Sequence, residues 1–238
     1  MLGLWRAGLT PYFNDIPQKY LTLYFHELSL TGFGRRGVRF RFERPKVQSL
    51  VRAQKIMKEY LDIVDENGAP IGERRLRSEV HSQGLWHRVV HVYLFRKIEN
   101  DIEFLVHLRA KTKDLNPNKW DTRFGGHLKS GESVEDAVRN ELKEEVGLEL
   151  DPLHLIRGEM GKSDSYPNRE FVYAHYYEFN GDASSLAFND GEVQKVEWMK
   201  SPDIIKSMSE NPDIWAGKRE GFVKTQETLK SCLKRILT

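Results

Sequence analysis

The stretch Gly126–Leu148, GHLKSGESVEDAVRNELKEEVGL, packs a turn, a capped helix and a tight acidic cluster into one short run. Ser133 with Asp136 three residues on is a capping box, and Gly147 is a C-terminal stop. Val134, Val138, Leu142 and Val146 recur at four-residue steps, which predicts one helix with a buried stripe. Glu141, Glu144 and Glu145 stand at i, i+3 and i+4, so their carboxylates project together from one flank of that helix. An arbitrary Glu-rich flank is most often merely solvated. Three close acids need cations, and the run reads as a metal-diphosphate site.

The run resembles the Nudix box, in which a glycine is followed by five residues, a glutamate, seven residues and then Arg-Glu-apolar-any-Glu-Glu-any-Gly-apolar. It matches at Gly126, Glu132, Glu141, Leu142, Glu144, Glu145, Gly147 and Leu148. The departure is Asn140 where the family has arginine, with Arg139 one place early on a different helical face. That arginine supports the acids in the family, so its loss bears on their orientation.

Outside the box, 39% hydrophobic and 30% charged residues in 238 are ordinary for a soluble globular chain. No window approaches the roughly 18 apolar residues of a spanning helix, and no signal-peptide pattern is present. Both point to the cytoplasm. A single cysteine, Cys232, excludes an internal disulfide, agrees with a reducing compartment, and sits in an apolar helical stripe as packing.

The net charge of +2 hides an asymmetry. Residues 1–56 hold ten Lys or Arg against three acids, +7, so residues 57–238 carry 27 against 32, −5. The first part is basic and aromatic, with GVRFRF alternating as a strand does. It reads as a nucleic-acid or membrane-surface arm, as an Arg-rich targeting segment, or as an extension upstream of a working start at Met57. We favour the last, because the family-like region begins almost immediately after Met57. An extra hairpin on the core is the structural alternative.

From Tyr60 the pattern is that of a compact domain. YLDIVD reads as a strand, IGERRLRSEVHSQG as a strand end or short helix, and WHRVVHVYLFRK and EFLVHLR as a central hairpin. KTKDLNPNKW is a loop, and WDTRFGGHL brings a strand into the box. LHLIRGEM, REFVYAHYYEF and VQKVEWM read as three more strands. SPDIIKSMSE reads as a helix capped by Ser201, and a last helix from about Glu220 aligns Phe222, Leu229, Cys232, Leu233, Ile236 and Leu237 near one face. The expected fold is α/β, an α/β/α sandwich on a mixed central sheet. The Nudix resemblance implies the same fold. From Tyr60 to about Met199 the chain is similar to the Nudix branch related to type 1 isopentenyl-diphosphate isomerases, through LDIVDENG, EVHSQGLWHRVVHVYLF and NKWDTRFGGH.

The crowded charge of a diphosphate must be neutralised before water can attack it, and Mg²⁺, with Mn²⁺ as a substitute, suits carboxylate oxygens. The resemblance assigns Glu141 and Glu145 as metal ligands, Glu144 as ligand or water-directing base, the carbonyl near Gly126 as a further oxygen, and Glu132 as a loop brace. Arg109, Lys113, Lys119 and Arg123 feed the box and are candidates to grip substrate phosphate, though singly each is an ordinary surface charge. Trp86 and Trp120 are better read as half-buried core than as stacking platforms.

His81, His87, His127 and Glu170 match positions that hold a second metal in the isomerase relatives, and imidazoles with a carboxylate suit Zn²⁺ or Mn²⁺. The His81–His87 spacing is one residue shorter than in those relatives, and His91 and His107 read as satisfied core or surface histidines. The resemblance implies a Mg²⁺-dependent hydrolase of a nucleoside diphosphate derivative or another organic diphosphate. An isomerase is disfavoured because Gly125 occupies its catalytic Cys position. A binding module without turnover ranks last, since the acids survive. The expected partner is that small-molecule diphosphate, with nucleic acid only through residues 1–56 and a homodimer left open.

Overall fold

In the computed structural model, residues 59–236 other than 100, 114, 189 and 190 are described. The expected N-terminal strand, arm or extension over residues 1–56 lies outside them, as does Leu237. A hairpin of β1 (Tyr60–Val64) and β2 (Pro70–Leu76) opens this region and leads directly into a short helix, α1 (Arg77–Gln83). The sequence reading of strand end or helix is thus resolved as both in succession.

The main sheet contains β3 (His87–Ile98), β4 (Asp101–Arg109), β5 (Trp120–Asp121), β6 (Leu155–Ser165), β7 (Asn168–Glu178) and β8 (Val193–Lys200), ordered β5-β4-β3-β7-β6 with β8 also on β4. It is mixed, because β3 and β7 run parallel while the other pairs are antiparallel. On one face lies α2 (Val134–Val146), whose Ala137, Val138, Leu142 and Val146 are buried against Val90, Val92, Leu94 and Leu105. On the other lie α3 (Ser201–Glu210) and α4 (Arg219–Ile236), which bury Ile204, Met208, Phe222 and Leu229 against Phe95, Phe104 and Tyr176. This is the expected α/β/α sandwich.

One irregularity positions the site. β3 and β4 pair only from Ile98↔Asp101 to Phe95↔Phe104 and then part. The chain before the box fills the gap as a wedge. Trp120 and Asp121 pair with β4, while Phe124 and His127 form isolated bridges to Val92 and Val89 of β3. Val90 N–H donates to Gly126 O at 2.9 Å and Leu128 N–H to Arg88 O at 2.9 Å. The strand expected over WDTRFGGHL is therefore only two residues of regular ladder followed by a bent seam.

Two local expectations are corrected. Ser201 is the first residue of α3 rather than its cap, and its hydroxyl accepts from Gln226 at 2.6 Å in the interior. Ile236 is 65% exposed, so the apolar face of α4 ends at Leu233 among the described residues.

Candidate active site

The acids stand on α2 as its sequence dictates. Ser133 caps the helix by accepting from Asp136 N–H at 3.1 Å, and Gly147 closes it in the left-handed region at φ 70°. The buried stripe fixes the rotation of the helix, which swings Glu141 and Glu145 toward the seam and leaves Glu144 exposed on the outer flank. Glu145 Oε2 accepts from Gly125 N–H at 2.8 Å. Glu141 lies so close to Gly126 that a Cβ on that glycine would stand 2.6 Å from its Oε1, which explains why the box opens with a residue that has no side chain. Burial, then the like charge of Glu145, push Glu141 well above the usual carboxylate range, while Lys129 pulls it back. The oxygens of two carboxylates facing this seam are of the kind that suits a hard divalent ion.

On the neighbouring stretch the histidines converge. The ring nitrogens of His81, His87 and His127 lie within 4.8 Å of one another, with His81 Nε2 3.1 Å from His127 Nε2. His87 Nδ1 is 2.9 Å from Leu85 O, and a carbonyl can only accept, so the proton of neutral His87 sits on Nδ1. Its buried Nε2 then presents a lone pair, has no protein partner, and lies 3.9 Å from Glu170 Oε1. Burial is the main cause that lowers all three histidines, His81 to about 4, with Arg77 adding to each. Neutral imidazoles with one orphaned nitrogen are what a borderline metal requires. His127 follows Gly126 directly, so one seam carries both groups.

A match to the NUDIX domain family model spans residues 85–224. The chain belongs to the Nudix family. It is 33% identical over 184 residues to an uncharacterized Nudix hydrolase of Clostridium acetobutylicum, covering 75% of this chain and 87% of that one. It is 30% identical over 168 residues to an isopentenyl-diphosphate delta-isomerase of Aliivibrio fischeri, covering 67% and 90%. A crystal structure of a Deinococcus radiodurans protein superposes with a TM-score of 0.57 at 23% identity over 73% of this chain and 99% of that one, a likeness of fold alone. Family membership with the acidic run intact makes the chain a Nudix-type pyrophosphohydrolase.

The Nudix loop is braced despite its altered box. Asn140 Nδ2 donates to Glu132 Oε1 at 2.6 Å, and Lys129 N–H donates to Glu132 Oε2 at 2.9 Å. The amide thus takes up the link that the missing arginine provides elsewhere. Gly126 O already accepts from Val90, which leaves one of its two lone pairs for a metal.

The four basic candidates are not four unpaired cations around the Nudix site. Arg123 forks onto the buried Asp121 at 2.8 and 3.2 Å, and Arg109 reaches the same carboxylate at 3.5 Å while donating to Leu115 O at 3.0 Å. Burial pushes Asp121 up, but the charge and hydrogen bonds of Arg123 outweigh it and hold the group ionised. Lys113 is ion-paired with Glu192, and the main chain of Lys119 accepts from Arg109 N–H at 2.9 Å. Sequence reasoning missed Arg77, whose charge acts on all three histidines and on Glu170. Its signal was available, since Arg77 and His81 are i and i+4 on α1. Trp86 packs at a tilt 5.2 Å from Phe171 under Lys162, and Trp120 lies 6.5 Å from Trp215, so both serve as packing. His91 and His107 lie outside the histidine group; His107 is buried against Phe124 with Nδ1 unpartnered, not hydrogen-bonded as a satisfied core residue is.

Proposed function

We propose that the protein is a Mg²⁺-dependent hydrolase that cleaves the diphosphate linkage of a nucleoside diphosphate derivative or another organic diphosphate. The observation that supports this most is the convergence of Glu141 and Glu145 on Gly125 and Gly126. Mg²⁺, when bound, supplies neutralisation of the diphosphate oxygens and a lowered pKa for the attacking water. Glu141 and Glu145 offer the ligand oxygens, with Gly126 O as a further one. Glu144, exposed beside them, orients the water and accepts its proton. Arg123 and Arg109, through N–H groups beyond those bonded to Asp121, meet the remaining phosphate charge, aided by Lys113 and Lys119 at the rim.

His81, His87, His127 and Glu170 form a second site in this reading. Three nitrogens and one carboxylate suit Zn²⁺ or Mn²⁺, and the site orients the substrate's far phosphate, with Arg77 facing it. The isomerase reading draws on the Aliivibrio relative and on these histidines. Against it, Gly125 has φ 139° and a Cβ there would overlap Val90 O, so this backbone has no room for a catalytic thiol.

The deciding experiment treats the full chain with a chelator, restores Mg²⁺, and offers nucleotide sugars, dinucleotides, deoxynucleotides and isopentenyl diphosphate. Phosphate-containing products and double-bond migration are followed separately. Mg²⁺-restored hydrolysis without migration is expected, and migration would overturn the reading. The catalytic domain is residues 57–238, so a chain beginning at Met57 folds and keeps hydrolysis. Insolubility of that shorter chain would instead assign residues 1–56 to the core, and loss of a salt-sensitive nucleic-acid binding with folding retained would mark them as a basic arm.

A further inference from the structure

Asp62 stands on β1, outside the box, yet its carboxylate reaches the turn that opens the acidic helix. Asp62 Oδ1 accepts from Ser130 Oγ at 2.7 Å, and Oδ2 accepts from Gly131 N–H at 3.0 Å and from Arg88 at 3.3 Å. The main chain repeats the contact, with Ser130 N–H donating to Tyr60 O at 2.8 Å and Leu61 bridging Lys129. Gly131 has φ 78°, a left-handed conformation that glycine adopts freely, so Asp62 grips the turn at the N–H of a residue with no side chain of its own to anchor it.

From that apex a short chain of bonds leads to the acids. Lys129 N–H binds Glu132, Glu132 binds Asn140, and Asn140 immediately precedes Glu141. The same turn places the Lys129 ammonium where it acts on Glu141. Arg88 ties in a third element, because its own carbonyl accepts from Leu128 N–H at 2.9 Å. One carboxylate therefore joins β1, β3 and the box turn.

We infer that Asp62 is a positioning residue for the acidic site, so that the β1–β2 hairpin, which carries no ligand itself, sets the geometry in which Glu141 and Glu145 take a divalent cation. This rests on the proposed Mg²⁺ role of those acids. An outer carboxylate of this kind acts by restricting the frame around the ligands; groups bonded directly to ligands are worth about 10- to 100-fold in metal affinity, and Asp62, further removed, belongs at the lower end of that range. Neutralising Asp62 also strips Arg88, whose side chain is 13% exposed, of this ion pair, so stability has to be followed beside metal binding.

The test uses the full chain with Asp62→Ala, Asp62→Asn, Ser130→Ala and the Asp62→Ala/Ser130→Ala double variant. Mg²⁺ binding is followed by calorimetry, alongside the Mg²⁺ concentration for half-maximal hydrolysis and the melting temperature. Asp62→Ala should raise both Mg²⁺ values about tenfold, Asp62→Asn by less because one acceptor survives, and the double variant no more than Asp62→Ala alone, since the two residues share one contact. A melting temperature that falls while both Mg²⁺ values stay at those of the parent overturns the inference and leaves Asp62 a merely structural contact. If Asp62→Ala does not fold, Asp62→Asn and Ser130→Ala carry the same comparison. Absence of Mg²⁺ binding in the parent would instead overturn the proposed function, so the two failures are separable.

Discussion

The amide of Asn140 lies 2.6 Å from Glu132 Oε1, on the helix where the family's box carries an arginine. A shorter side chain makes the same connection because α2 sits close to its own loop. Asn140→Arg should therefore leave the melting temperature and the Mg²⁺ titration near those of the parent. Asn140→Ala strips a hydrogen bond from a carboxylate and should cost about 1.5–3 kcal/mol in urea unfolding. A clear gain in Asn140→Arg would mean that the amide is an inferior brace.

Glu145→Gln keeps the acceptor for Gly125 N–H and removes a ligand charge, so folding should persist while turnover falls by at least the roughly 10- to 100-fold that loss of an outer partner of a metal site costs. Glu132→Gln should cost less, because it touches only the brace. Turnover in Glu145→Gln equal to that of the parent would remove Glu145 from the ligand set.

In chelated protein Glu141 carries the opposite lesson. Its folded pKa is raised above the ordinary 4.5, so its contribution to stability is full at low pH and is lost as pH rises through the folded value. Glu141→Gln should abolish activity and at the same time raise the melting temperature at neutral pH without metal. The slope of melting temperature against pH should flatten in the variant, and an unchanged slope would show that Glu141 is not held protonated.

The histidine cluster behaves in the reverse sense. His81 is lowered from 6.5 to about 4, so the stability tied to its neutral form is present above pH 6.5 and is lost as pH falls through about 4. His81→Gln should blunt the acid limb of the chelated protein's stability profile between those values. Elemental analysis of the purified chain should find Zn or Mn that His87→Ala removes, and retention of that metal in His87→Ala would displace His87 from the site.

Much of this was readable because it is local. A cap at Ser133, a stop at Gly147 and apolar residues at helical steps specify α2 without help from the rest of the chain, and the acids then follow by spacing. Arg77 was overlooked although its spacing to His81 was in view, whereas Asp62 and Asp121 were invisible for a physical reason. Each acts across a tertiary contact, and an Asp in a strand carries no periodic signal of what it will face. The basic candidates show the same limit: charge could be counted along Arg109–Arg123, but not the acids that pair with it from Asp121 and Glu192. Ile236 erred because helical phase alone does not say where the packing partner stops: Leu233 still packs on the core, and Ile236 is exposed.

The wedge between β3 and β4 also makes this protein a practical scaffold for altering specificity. The loop that precedes the wedge leaves the sheet after Arg109 and returns at Lys119, whose carbonyl accepts from Arg109 N–H at 2.9 Å, so its two ends are pinned side by side. Doubling the length of a loop closed in this way costs only about 0.6 kcal/mol in chain entropy. Foreign loops grafted at this point should therefore leave the glycine seam and the acids of α2 in their places.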